Sequence, residues 1–277
     1  MSLLQSVFLG MVQGLAEFLP ISSSGHLAIF QNLFHMTAAD HNDLFFDVLL
    51  HLGTLIAVFA VYWRDIRAMI AELLSMLPGV KQSESRVNSR LMRRQIWFLL
   101  VGTLPLVAAV FWKDTVERLY HNTFFVGFML IVTGLMLYFS DRRGTGEKTL
   151  KDMTLFDAFF IGVGQMFAVI PGLSRSGTTI SAGLARDFDR EFAVKFSFLL
   201  SIPAVLGANA LTLIDAIQDG IDVSRIPVYF GGMITAAVFG YLAIRVIHQF
   251  ARRGRFGAFA YYCWGAGLFT LILSLIS

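Results

Sequence analysis

Six stretches of this chain are apolar for long enough to cross a lipid bilayer, which takes roughly 20 residues of helix. They run 43–63, 95–112, 124–140, 191–214, 227–248 and 256–276. Only 15% of the residues are charged and mean hydropathy is +0.67, whereas soluble domains carry about 25% charged residues. A water-soluble fold is excluded. The expected class is an all-α polytopic membrane protein. Two further apolar stretches, 3–34 and 155–185, are shorter and broken, at 20–25 and 171–177.

The basic residues sit in connections rather than on one helix face, so the net charge of +3 does not point to nucleic acid. Their distribution predicts an orientation instead. Arg64, Arg67, Lys81, Arg86, Arg90, Arg93 and Arg94 lie between the first two spans. Arg142, Arg143, Lys148 and Lys151 follow the third, and Arg252, Arg253 and Arg255 precede the last. The connections 32–42, 113–123 and 215–225 are poor in bases. Three basic connections on the cytoplasmic side alternate without conflict over six spans and leave both termini outside. No cleavable signal peptide is expected, since no Lys or Arg precedes the first apolar stretch and Gln5 and Gln13 interrupt it. Cys263 is the single cysteine and lies in an apolar run, so it reads as a packing residue.

With this topology the two broken stretches dip in from opposite sides as re-entrant helix-loop-helix segments. Their sequences echo each other: FLPISSSGH and VIPGLSRSGTT align at Pro20 and Pro171, with Gly25 against Gly177 after a one-residue adjustment. The following spans, FFDVLLHLGTL and FSFLLSIPAVL, echo as well. The expectation is a single membrane domain built as an inverted repeat, one copy over about 1–112 and the other over about 155–250. Such repeats place their sites near the midplane at broken helices. Lipid cannot satisfy free backbone groups, so a break needs protein or a wet cavity around it. Pro20 and Pro171 would end the descending half-helices, and Gly25 and Gly177 would permit the reversal. Each returning half-helix then offers an N-terminus that binds anions, phosphate above all. Two facing N-termini would grip two linked phosphates.

The polar residues gathered there are the candidate site. Gln13 and Glu17 are four apart and share a helix face, as do Ser23 and His26 at a spacing of three. Arg175 is the basic residue of the second break, and its fork of donors suits phosphate. Ser22, Ser174, Ser176, Thr178 and Thr179 supply hydroxyls at the two N-termini and, with Gln13, are the expected substrate-binding groups. An acid, a hydroxyl, a histidine and an arginine beside such N-termini are the parts of a phosphoryl-transfer site. Asp47 and His51 in the next span read as a supporting pair, Gly10 and Gly14 as close helix packing, and Asn209 as an interhelical hydrogen bond.

QGLAEFLPISSSGH together with PGLSRSGTT closely resembles the bacterial undecaprenyl-diphosphate phosphatase family of the bacitracin-resistance type, over nearly the whole chain. The resemblance implies hydrolysis of undecaprenyl diphosphate to the monophosphate, recycling the lipid carrier for peptidoglycan. It also implies a divalent cation, magnesium or calcium, competition with bacitracin for the substrate, and an inner-membrane protein with its site open to the periplasm. A homodimer stays open. The family's first motif pairs an acid or glutamine with a glutamate four residues on, here Gln13 and Glu17, so Glu17 is the one anionic metal ligand and Gln13 a neutral one. Its serine and histidine fall on Ser23 and His26; the serine, arginine and threonine of the second motif fall on Ser174, Arg175 and Thr179. Phosphatases of the phosphatidic-acid type share an SGH triplet, but their lysine–arginine motif and second histidine have no counterpart here.

The expected chemistry is attack by Ser23 on the terminal phosphorus, with His26 or Glu17 as base and Arg175 neutralising charge; attack by a water activated by His26 is the alternative. From another class, a polyprenyl-phosphate flippase or secondary transporter would use the same midplane anion site. The Ser–His–Glu cluster separates the two, since binding alone needs no nucleophile and base.

Overall fold

The computed structural model describes residues 1–33, 44–76, 86–120, 122–143 and 146–276. Among these, the chain is helical throughout: α1 (Leu3–Phe18), α2 (Ser23–Leu33), α3 (Leu44–Ser75), α4 (Arg86–Ala109), α5 (Lys113–Tyr120), α6 (Thr123–Arg142), α7 (Leu155–Phe167), α8 (Arg175–Ala185), α9 (Arg190–Asp219), α10 (Ile226–Arg253) and α11 (Gly257–Ile276). The one ladder contact is an isolated bridge between Lys148 and Phe188. Helices α3, α4, α6, α9, α10 and α11 are long and apolar enough to cross a membrane. The protein is a polytopic helical membrane protein.

The spans read from hydropathy are right in number and too short in extent. Helix α3 runs twelve residues past Trp63, and α4 begins well before Gln95, so Arg64, Arg67, Arg90, Arg93 and Arg94 stand on helix, not loop. Hydropathy follows the hydrocarbon, while the helix continues into water. The departure from regular helix at Tyr62 (φ −104°, ψ 22°) falls at the end of the apolar run. The connection 113–123 likewise contains α5. Most of the 32–42 connection and Lys81 lie outside the described residues.

Five ion pairs gather at the end of the bundle that carries the basic connections: Glu72–Arg93, Asp157–Arg186, Asp141–Arg190, Asp65–Lys195 and Glu191–Arg252. Asp141 also accepts the backbone N–H groups of Phe256 and Gly257, capping the start of α11. One more, Arg175–Glu17, joins the two broken segments, far from that belt.

Helices meet over small residues. A Cβ on Gly10 would stand 2.2 Å from the carbonyl oxygen of Gly232, and one on Gly14 2.6 Å from that of Ala236, so α1 lies directly on the backbone of α10. A Cβ on Gly162 would stand 2.2 Å from the carbonyl oxygen of Gly102, which seats α7 on α4 in the same way. Between membrane helices, where lipid supplies no hydrophobic drive, such close approach provides the packing. The expected packing role of Gly10 and Gly14 holds. So does that of Asn209, whose amide donates to the Val48 carbonyl at 3.3 Å.

Candidate active site

The two broken segments start alike. Ser2 caps α1 with Gln5 reaching back, and Thr154 caps α7 with Asp157 doing the same; each is a reciprocal capping box that satisfies first-turn donors. α1 stops at Phe18, two residues before Pro20, and α7 at Phe167, four before Pro171, so neither proline itself ends its helix, and the chain reverses into α2 and α8. The reversal is not carried by Gly25 and Gly177, which lie inside the returning helices. Left-handed backbone falls instead on Gly172 (φ 88°) and, in the first break, on Ser22 (φ 70°). From proline to capping serine the first break is one residue shorter, Pro20–Ile21–Ser22 against Pro171–Gly172–Leu173–Ser174, and the non-glycine that also caps the helix takes the turn, a conformation costing about 1 kcal/mol or more. Gly25 and Gly177 let the two breaks touch: a Cβ on Gly25 would lie 3.6 Å from Gly172 Cα, and one on Gly177 3.3 Å from Pro20 Cβ.

Neighbouring helices satisfy the irregular backbone. Thr133 Oγ1 of α6 donates to the Gly172 carbonyl and accepts from the Ser174 N–H, both at 3.1 Å. Cys263 of α11 places its thiol 3.5 Å from the Pro20 carbonyl, and Ser176 Oγ donates to the Leu19 carbonyl. Ser22 and Ser174 accept from the Gly25 and Gly177 N–H groups at 3.4 and 3.1 Å. This is how a break survives where lipid would leave its polar groups unpaired.

The breaks border a cavity of about 820 Å³, within the usual range for small-molecule sites. Glu17, buried at the end of α1, is its hub. Ser23 Oγ donates to Glu17 Oε2 at 2.7 Å, Gln13 Nε2 donates to the same oxygen at 3.1 Å, and Arg175 Nη2 donates to Oε1 at 2.5 Å. One full charge and two hydrogen bonds thus hold the carboxylate. Arg175 is therefore paired across the two breaks rather than free; its second arm, Nη1, is buried with no partner.

Of the residues singled out in the sequence, Gln13, Glu17, Ser23, Ser174 and Arg175 line this cavity together. Ser22, Ser176, Thr178 and Thr179 are turned to local bonds: Thr178 Oγ1 donates to the Ser174 carbonyl, and Thr179 Oγ1 to that of Arg175, with Ser197 Oγ 2.6 Å away. They shape the two N-termini without facing the cavity. His26 does not join Ser23. Its Nδ1 lies 2.7 Å from the Ser22 carbonyl and its Nε2 2.7 Å from Tyr262 Oη, with the two rings stacked. Helical spacing put His26 near Ser23, but the first-turn carbonyl and a tyrosine of α11 draw the ring away.

Two contributors, Tyr262 and Gln165, stand beyond the sequence reading of the site, and the pair expected to support it stands nearer than expected. His51 lines the cavity and places Nδ1 3.0 Å from Gln13 Nε2, so it and Asp47, also on the wall, face the site directly. Tyr262 holds His26. Gln165 lines the cavity from α7, and a signal for it existed: it stands 152 positions after Gln13, the offset that also relates Gly10 to Gly162, Ser22 to Ser174, Ser24 to Ser176 and Gly25 to Gly177.

Several buried polar atoms here have no hydrogen-bond partner: Gln13 Oε1, Arg175 Nη1, and both Nε2 and Oε1 of Gln165. Each such atom costs about 1–3 kcal/mol until a ligand meets it. They also test the fit of a divalent cation. Among the described residues no three His, Cys, Asp or Glu side chains converge as ligands, so a closed protein cage does not exist. One carboxylate, Glu17, with the orphaned carbonyl oxygen of Gln13 beside it, does suit a hard cation that takes its remaining oxygen ligands from phosphates, as magnesium commonly does.

Known proteins resemble the chain over nearly its whole length. Residues 6–269 match the family model described as bacitracin resistance protein BacA. The chain is 39% identical over 281 residues to an undecaprenyl-diphosphatase of Methanosphaera stadtmanae, covering 100% of this chain and 99% of that one. It is 38% identical over 278 residues to an undecaprenyl-diphosphatase of Alkaliphilus metalliredigens, covering all of both. An undecaprenyl-diphosphatase 4 of Bacillus cereus is 39% identical over 274 residues, 99% of this chain and 98% of its own.

Proposed function

The chain belongs to the bacitracin resistance protein BacA family, and from that premise we propose that it hydrolyses undecaprenyl diphosphate to undecaprenyl phosphate and inorganic phosphate. The observation that carries the mechanism is the hydroxyl of Ser23 donating to Glu17 while Glu17 pairs with Arg175 on the cavity wall. Nucleophile, proton acceptor and cationic clamp are then one connected group. The names of the relatives favour hydrolysis over the carrier reading.

In the proposed reaction Ser23 Oγ attacks the terminal phosphorus and gives its proton to Glu17. The bond from that phosphorus to the bridging oxygen breaks, and the lipid monophosphate leaves. Water then attacks the phosphoserine, releases phosphate and restores the Ser23 hydroxyl. Arg175 Nη1 and the N–H groups at the starts of α2 and α8 meet the charge on the phosphate oxygens. With both ring nitrogens engaged, His26 supports the site by holding the first turn of α2. Glu17 and Gln13 would hold a magnesium or calcium ion, which supplies charge neutralisation on the diphosphate.

The same reading includes the architecture around the site. The two helix pairs α1–α2 and α7–α8 are re-entrant segments of an inverted repeat, about 1–112 and about 155–250. Two features support it: the matched capping boxes and serines, and the exchange by which α1 seats on the second copy and α7 on the first. The site faces the periplasm from the bacterial inner membrane. Supporting this, Tyr120 and Asp219, within two of the three base-poor connections, line the cavity. Bacitracin competes there for the lipid diphosphate.

Phosphate release by the purified protein in detergent tests the proposal. Wild type should release phosphate from undecaprenyl diphosphate, lose it with a chelator and regain it with magnesium or calcium; Ser23→Ala should release at least about 100-fold less. Absence of wild-type release, or an unaffected Ser23→Ala, overturns it.

A further inference from the structure

Gln165 is 1% exposed, lines the cavity, and has neither side-chain nitrogen nor oxygen bonded. A fully buried amide left open on both ends is rare in folded proteins. Its surroundings are built: α7 starts from a capping box and is fixed on α4 through Gly162. The counterpart Gln13 sits at the same place in α1, likewise after a capping box and a close-packed glycine. Two helices thus bring the same amide to one cavity. Their neighbours differ. Four residues after Gln13 stands Glu17, which takes its N–H; four residues after Gln165 stands Val169. With no carboxylate at that position, the Gln165 amide keeps its donors for a ligand. That ligand is anionic, because Arg175, with an unbonded arm, lines the same cavity.

We propose that Gln165 is a further substrate-binding residue, donating its amide N–H to an oxygen of the diphosphate from the α7–α8 wall. The inference rests on the phosphatase reading above. A hydrogen bond to a charged oxygen is worth close to a factor of ten in binding. Gln165→Met, apolar and of similar length, should therefore raise KM about tenfold with kcat within threefold. Gln165→Glu, of the same shape but anionic, should lower kcat/KM by 100-fold or more. A merely structural glutamine would instead lower the thermal midpoint in both variants and leave KM in place for the folded fraction.

Calorimetric titration of the detergent-solubilised proteins with methylene diphosphonate, which is not hydrolysed, reads the same contact without turnover. Wild type should bind about tenfold more tightly than Gln165→Met, and Gln165→Glu should not bind. Equal affinities, no binding by wild type, or KM shifts under twofold in both folded variants overturn the proposal. Failure of wild type to release phosphate from undecaprenyl diphosphate, with the diphosphonate difference intact, sinks the phosphatase reading and leaves the contact standing.

Discussion

At the scale of single residues, Glu17 accepts from Ser23, Gln13 and Arg175 at once, and replacing it separates charge from shape. Glu17→Gln keeps the shape but leaves one accepting oxygen where Ser23 and Arg175 used two, and it no longer takes a proton. General-base loss costs about 10²–10⁴ in rate, so kcat at saturating substrate should fall at least 100-fold. A kcat within tenfold of wild type would remove Glu17 as the proton acceptor. The grouping of Gln13, Glu17, Ser23 and Arg175 was legible because helical spacing and the cost of polar groups in lipid both demand it. The direction of the His26 ring was not, because it depends on Tyr262, 236 positions away. Nor was the pairing of Arg175 with Glu17, for which spacing within one segment says nothing.

At the scale of helices, the seats of α1 and α7 are made of bare backbone, and a side chain there has no room. Gly10→Val and Gly162→Val should each cost about 1–3 kcal/mol from overpacking, lowering the thermal midpoint in detergent by about 2–4 °C for each kcal/mol at this chain length. Both helices carry cavity glutamines, so activity should fall with stability. Gly207 of α9, where a Cβ would meet nothing within 4 Å, is the control: Gly207→Ala should be neutral or stabilise by up to about 1 kcal/mol. Unchanged midpoints in both valine variants would show that the helices are not seated on these glycines. The number of spans could be read from hydropathy alone, since few other patterns bury 20 apolar residues. Their ends could not, because nothing in an apolar index marks where a solvated helix stops. The breaks were found through proline, but the residue that turns the first one, Ser22, is a type that seldom takes left-handed backbone.

For the molecule as a whole, the belt of ion pairs marks one end, and the cavity is lined by Tyr120 and Asp219 of the base-poor connections. In the proposed orientation the base-rich connections put that end in the cytoplasm. A reporter that works only in the periplasm should be active when fused after α11, and one that works only in the cytoplasm should be silent; the reverse would turn the bundle over and close the site to external diphosphate. The ion pair between the two breaks also sets an order of events at the ribosome. Arg175 follows Glu17 by 158 residues, a gap that takes about 8–32 s to translate at roughly 5–20 residues per second, and α10, on which α1 rests, emerges later still. Through that interval the nascent first segment carries a carboxylate without its counter-charge beside a hydrocarbon phase that disfavours it. The segment must wait at the aqueous margin or take up a proton, and it can lock in place only when the second half of the chain arrives.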